Sequence, residues 1–135
     1  MNDAAFDDLF AEATRASGRF GHREHVHLTW LAVRRLGAEA AAHLVGDGIR
    51  RTARYAGVPQ KYNVTMSLAW AQAVAFHVAE RPDLDDFDRF AEVFPGLLDK
   101  RLLAGHYRSS TLAGATARAT WVEPDLRPFP WSARW

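Results

Sequence analysis

Three histidines, His22, His25 and His27, fall within the stretch GRFGHREHVHLTW (18–30). Imidazole titrates close to neutral pH, so it suits proton transfer, ligand hydrogen bonding and metal ligation. Which of the three can do chemistry depends on the helix that carries them. With residues 22–36 on a helix at about 100° per residue and Val26 at zero, Trp30, Ala32, Val33 and Leu36 join one broad apolar arc. His22, His25 and Thr29 lie inside that arc, at about 320°, 260° and 300°. His27, at about 100°, falls beside Arg23 and Arg34 and is expected at the surface.

An inward polar group without a partner costs about 1–3 kcal/mol, so His22 and His25 need partners in one place. A helix over 63–80 offers them. It is apolar nearly all round (Val64, Leu68, Trp70, Val74, Phe76, Val78), the mark of a central, buried helix. Tyr62, Asn63 and Thr65 stand at its start, where unpaired backbone N–H groups also favour an anion or a carbonyl oxygen. Two helix starts facing one polar pocket is the arrangement expected, with plain structural hydrogen bonding of the histidines as the alternative. Metal binding is the smaller part of the functional reading. HREH spaces its histidines i, i+3 and is not the HExxH of zinc peptidases. A third ligand would have to come from His106, Asp99, Glu24 or Asp125, and the sequence places none of them.

The elements that must position these groups read as helices throughout. The 135-residue chain suits one domain, spanning 1–135, and its 48% hydrophobic content suffices for a core. Helical periodicity predicts a first helix over 3–17 stopped by Gly18, a second over 22–36 stopped by Gly37, and a third over 38–56. Gly46 and Gly48 weaken the third and predict a kink or a close helix contact. Residues 57–63 form a loop around Gly57 and Pro59. A fifth helix is expected over 84–94 with Asp83 as N-cap, a sixth over 97–103, and a short one near 111–120. No segment reads as a strand, so the fold class is all-α: a compact helical bundle of about six helices. The tail, 121–135, is rich in proline and carries Trp121, Trp131 and Trp135, so it is expected to run extended and packed on the bundle, covering its open end or walling a pocket or oligomer interface.

Bulk properties exclude several classes. The net charge is +1, without the clustered basic face of a nucleic-acid binder. RRTAR (50–54) is the nearest candidate and reads as a solvated face. No cysteine is present, which removes disulfides and thiol chemistry. The acidic opening MNDAAFDDLF is unlike a signal or transit peptide, and 62–79 is too polar to cross a membrane. A cytoplasmic location is the expectation.

Several separated motifs occur in a fixed order: FGHREHVHLTW (20–30), GIRR (48–51), KYNVT (61–65), HYRSSTL (106–112), TAR (116–118) and VEPDLRPFP (122–130). On these the chain resembles a group of small all-helical bacterial proteins of unassigned function, whose pattern runs F-x-H-R-x-H-x-x-x-x-W, G-I-R-R, K-Y-H-x-T and a late P-D segment. The resemblance implies that His22, Arg23, His25, Trp30, Lys61, Tyr62, Thr65, Tyr107, Arg118 and Asp125 belong to a shared framework. His27 is outside it. Asn63 stands where the pattern has His, and an amide neither titrates nor suits zinc, which weakens a three-histidine metal site.

The functional reading is a small enzyme doing proton-transfer chemistry on a small organic substrate, with no metal and no cofactor, in a biosynthetic pathway. Isomerisation, dehydration and cyclisation all use such a set. His22, His25 and Tyr62 are the candidate catalytic residues. Arg23, Trp30, Asn63, Thr65, Tyr107 and Arg118 are the candidate substrate-binding residues, with Arg23 or Arg118 pairing a carboxylate. The expected partner is a small molecule, with no nucleic acid and no membrane, and a homodimer stays open. Two alternatives also stay open. One is a metalloprotein using His22, His25 and a distant ligand. The other is a non-catalytic helical binding module whose polar cluster fixes helix packing.

Overall fold

A computed structural model describes residues 2–131 of the chain. Helix α1 (Asn2–Thr14) buries Phe6, Leu9 and Ala13, the i, i+3, i+7 stripe of an amphipathic helix. It ends where Gly18, at φ +71°, donates its N–H to the Thr14 carbonyl (2.8 Å). Helix α2 (His22–Leu36) starts with Glu24 Oε1 accepting the Gly21 N–H at 2.8 Å, the reciprocal half of a capping box. It stops at Gly37, φ +88°, whose left-handed backbone disfavours any side chain. Helix α3 (Ala38–Tyr55) runs unbroken through Gly46 and Gly48. Those glycines mark close contact and not a kink. A Cβ on Gly48 would sit well inside the van der Waals radius of the Phe6 ring on α1.

Helix α4 (Val64–Glu80) is the central element and packs against α2 and α3. Asn63 is its N-cap: Oδ1 accepts the Met66 N–H at 2.9 Å. Ala69, Trp70, Ala71, Gln72, Ala73 and Val74 are all buried, as an apolar helix enclosed on several sides must be. Among the described residues there is no strand, and the fold is an all-α helical bundle. None of these helices is long and apolar enough to cross a membrane.

The second half departs from simple periodicity in three places, each for a local reason. Helix α5 is Phe87–Val93, capped by Asp86 and not by Asp83. Asp83 has both carboxylate oxygens on the Arg81 guanidinium (2.9 and 2.8 Å), so it does not cap a helix, and Arg34 bonds the carbonyls of Pro82 and Leu84 (3.2 and 2.9 Å) in the segment before α5. The helix expected over 97–103 is two 3₁₀ turns, Pro95–Leu98 and Leu102–Gly105. Between them Asp99 Oδ1 accepts the Arg101 N–H (2.9 Å), a local turn that competes with continuation. The last helical stretch is split by extended Gly114 into α6 (Ser109–Ala113) and α7 (Ala115–Ala119).

The tail packs as expected through residue 131, while Trp135 lies outside the described residues. Thr65 Oγ1, fully buried, donates to the Thr120 carbonyl (2.8 Å) and accepts the Val122 N–H (3.1 Å). Tyr107 donates its hydroxyl to the Val122 carbonyl (2.7 Å). The His106 ring donates from Nδ1 to the Arg127 carbonyl (2.9 Å). Phe129 is buried against His106 and stacks on Trp131 at 4.9 Å.

Two stability outcomes follow from this packing. Gly→Ala inside a helix ordinarily gains up to about 1 kcal/mol. At Gly48 the Phe6 ring reverses the sign, so Gly48→Ala is expected to lose about 1–3 kcal/mol in urea denaturation. Thr65→Val keeps the shape but strands two tail backbone groups, and is expected to cost about 1–3 kcal/mol by the same measurement.

Candidate functional site

The start of α2 and the start of α4 do enclose one cavity. Its volume is about 220 Å³, and His22, His25, Lys61, Tyr62, Asn63 and Lys100 line it. Trp70 and Ile49 form its apolar wall. The two histidines are half-buried and differ in their partners. His22 directs Nε2 at the Leu97 carbonyl (2.9 Å). A carbonyl only accepts, so Nε2 carries the proton and, in the neutral ring, Nδ1 keeps the lone pair. The ring is held edge-on against Trp70, centroids 4.5 Å apart. Orientation by a backbone carbonyl and an indole is the second-neighbour support that a working imidazole needs.

His25 is held differently. Among the described residues the histidine rings hydrogen-bonded to backbone carbonyls are His22, His77 and His106, and His25 is not one of them. Burial, with a smaller contribution from the neighbouring His22, pushes its imidazole down to about 4. At neutral pH His25 is therefore an uncharged ring lining the cavity. Lys61 and Lys100 are exposed at its rim, and no carboxylate is among the lining residues. An anionic group placed between those ammonium groups would be stabilised and would favour protonation of His25. Tyr62 completes the wall. Its hydroxyl approaches α3 at Gly46, where an added Cβ would lie 3.3 Å from it.

The remaining candidate residues are distributed more widely. Asn63 borders the cavity, yet its amide is engaged at both ends, with Met66 N–H and, through Nδ2, with the Leu112 carbonyl (2.7 Å). Thr65 and Tyr107 do not reach the cavity and serve the tail. Burial, then the charges of Glu123 and Asp125, pushes the Tyr107 phenol well above its ordinary range, as befits a donor that stays protonated. Arg23 is exposed, paired with Asp88 (2.7 Å) and lying over the Phe87 ring. Trp30 is buried between Phe87 and Phe90. Arg118 lines a second cavity, on which Tyr62 also borders. Thr29 points inward, but its hydroxyl is spent on the His25 carbonyl (2.8 Å).

His27 corrects the helical-wheel expectation of a surface residue. It is half-buried, stacked on Phe87 with centroids 4.2 Å apart and planes 2° from parallel. The wheel placed it correctly beside Arg23 and Arg34, but α5 arrives from far along the chain and covers that side. Burial lowers its pKa.

The distant groups considered as metal ligands are engaged elsewhere. His106 bonds Arg127, Asp99 pairs with Arg101, Glu24 caps α2, and Asp125 accepts the Arg108 N–H and the Thr111 hydroxyl. Among the described residues no group of three His, Asp or Glu is placed to hold a metal ion. Lining residues that were not anticipated as part of the site include Ile49, Met66, Ser67, Trp70 and Lys100. Lys100 has no local signal, since tertiary packing alone brings it to His22, whereas Trp70 follows from the facing surface of α4.

Comparison with protein-family models, with curated proteins and with solved structures finds no match for this chain.

The His25 environment makes stability depend on pH in a defined direction. The unfolded imidazole binds protons in its ordinary range near 6.5, while the folded one does so only near 4. Between these values the unfolded state holds more protons, so stability is full above about pH 6.5 and declines as pH falls toward 4. In urea denaturation at pH 7 and pH 5, His25→Gln is expected to show a smaller loss than the parent. An equal loss would place the ring in an unperturbed environment.

Proposed function

We propose that the chain is a small acid–base enzyme whose substrate carries an anionic group and reacts in the cavity between α2 and α4. The observation that carries this reading is the division of labour between the two histidines. His22 is fixed by the Leu97 carbonyl and Trp70, whereas His25 has a neutral ring with no backbone partner, in a space rimmed by Lys61 and Lys100. In this role His25 accepts a proton from a carbon or hydroxyl of the substrate. His22 accepts a hydrogen bond from the substrate at Nδ1, the protonated His25 returns its proton to the product, and Tyr62 donates a hydrogen bond to the developing oxyanion. No metal or cofactor is assigned to the reaction. His22 and His25 of FGHREH and Lys61, Tyr62 and Asn63 of KYNVT line one cavity, which supports treating these residues as one functional unit.

An imidazole with a pKa near 4 is a weak base. A bound carboxylate or phosphate beside Lys61 and Lys100 would raise it toward the working range, so loading the site prepares the base.

The test is proton exchange in D₂O. The protein is incubated with a panel of small keto, hydroxy and phospho acids, and loss of individual C–H signals is followed by NMR. Exchange of at least one class is expected, falling about 10²–10⁴-fold in His25→Gln, the contribution of one general base. Absence of exchange or turnover across the panel, or full activity in His25→Gln, would refute the acid–base reading.

A further inference from the structure

A second cavity, of about 650 Å³, also has Tyr62 among its lining residues. Arg50 and Arg54 of α3 and Arg118 of α7 line it, and Tyr62, Pro59 and Val64 are among its other walls. Not one carboxylate is among its lining residues. Arg51, the neighbour of Arg50, is spent on α1, where it pairs with Asp3 and Asp7. Among the described residues no ion pair includes Arg50, Arg54 or Arg118. Asp47, which borders a neighbouring groove together with Arg50 and Arg54, pairs with neither. Arg50 and Arg54 stand i, i+4 on one helix, a like-charge spacing that destabilises a helix unless an anion lies between the two groups. Arg118 adds a third guanidinium to the same space.

We propose that this cleft holds the phosphate of a small phosphorylated ligand, whose other end, bearing the anionic group that meets Lys61 and Lys100, passes Tyr62 into the His22/His25 cavity. Guanidinium forks match phosphate oxygens in bidentate fashion. Three cations also match a phosphate monoester, which carries about −1.5 to −2 at neutral pH, better than a carboxylate with its single charge. Tyr62 borders both cavities and the Arg50 guanidinium lies 6.0 Å from its ring centroid, so one aromatic wall is shared between the anion cleft and the proposed reacting end. A nucleic acid fits less well: the whole chain has a net charge of only +1, and Arg51 is neutralised within the fold. The connection to His25 rests on the acid–base reading, but phosphate binding in the cleft does not.

The experiment is calorimetric titration of the full chain with phenyl phosphate, with benzoate, and with a short single-stranded RNA. One-site binding of phenyl phosphate is expected, weakening about tenfold or more in Arg54→Gln and in Arg118→Gln, the loss of one charge-assisted pair. Both residues are exposed, and circular dichroism checks that the variants keep the fold. Benzoate is expected to bind at least about tenfold more weakly than phenyl phosphate. No saturable binding, or binding indifferent to both substitutions, overturns the site. Equal affinity for benzoate overturns the phosphate assignment, and tighter binding of the RNA replaces it with a nucleic-acid surface. Phenyl phosphate binding that depends on the arginines and persists in His25→Gln, with no proton exchange in D₂O, sustains the cleft while refuting the acid–base reading. The two failures are therefore distinct.

Discussion

Asn63 holds the first turn of the central helix from two sides, and both cavities depend on that hold. Its Oδ1 satisfies the Met66 N–H, one of the donors that every helix start leaves open, and its Nδ2 reaches α6 through the Leu112 carbonyl. Two residues on, Thr65 ties the same turn to the tail at Thr120 and Val122. Tyr62 immediately precedes this turn, so its ring is fixed in direction by a capped helix start and not by a free loop. Because that ring borders both the histidine cavity and the arginine cleft, loss of the cap would disturb both together.

Local signals made much of the framework legible. The periodicity of α2, its glycine stop and the inward side of His22 and His25 follow from the residues themselves, because helix geometry decides which side chains share a face. Burial of α4 follows from its continuous apolar surface. What was not legible are partners that lie far away in sequence. The segment ahead of α5 is held by Arg34, on another helix, which bonds two of its carbonyls. His27 is covered because Phe87 arrives from α5. Nothing near residues 22–27 encodes either event.

Polar identity was easier to see than polar role. Thr65 and Tyr107 have hydroxyls suited to a substrate, and both are buried, but each is committed to backbone of the tail. The extended tail offers backbone donors and acceptors unsatisfied by any ladder, and buried hydroxyls are the natural way to satisfy them. Asn63 has the opposite lesson. An asparagine just ahead of an apolar helical run is a strong N-cap signal, and that local reading accounts for its Oδ1 bond to Met66. The arginines divide along the same line. Arg51 is balanced by acidic residues of α1, which no inspection of RRTAR alone reveals, and that leaves Arg50 and Arg54 as the charged edge of a cleft completed by Arg118.

The electrostatics of the histidine cavity give the proposed chemistry an order of events. The cavity has two ammonium groups at its rim and a neutral His25, whose protonation is disfavoured by burial and, to a smaller extent, by the neighbouring His22. A substrate anion held by the lysines supplies the opposite charge that stabilises an imidazolium. The base therefore strengthens when a substrate of the right charge is present, and a neutral molecule of the same shape leaves it weak. Selectivity for anions would then arise in the proton-transfer step as well as in binding, since the group that attracts the lysines is also the one that makes His25 basic enough to act.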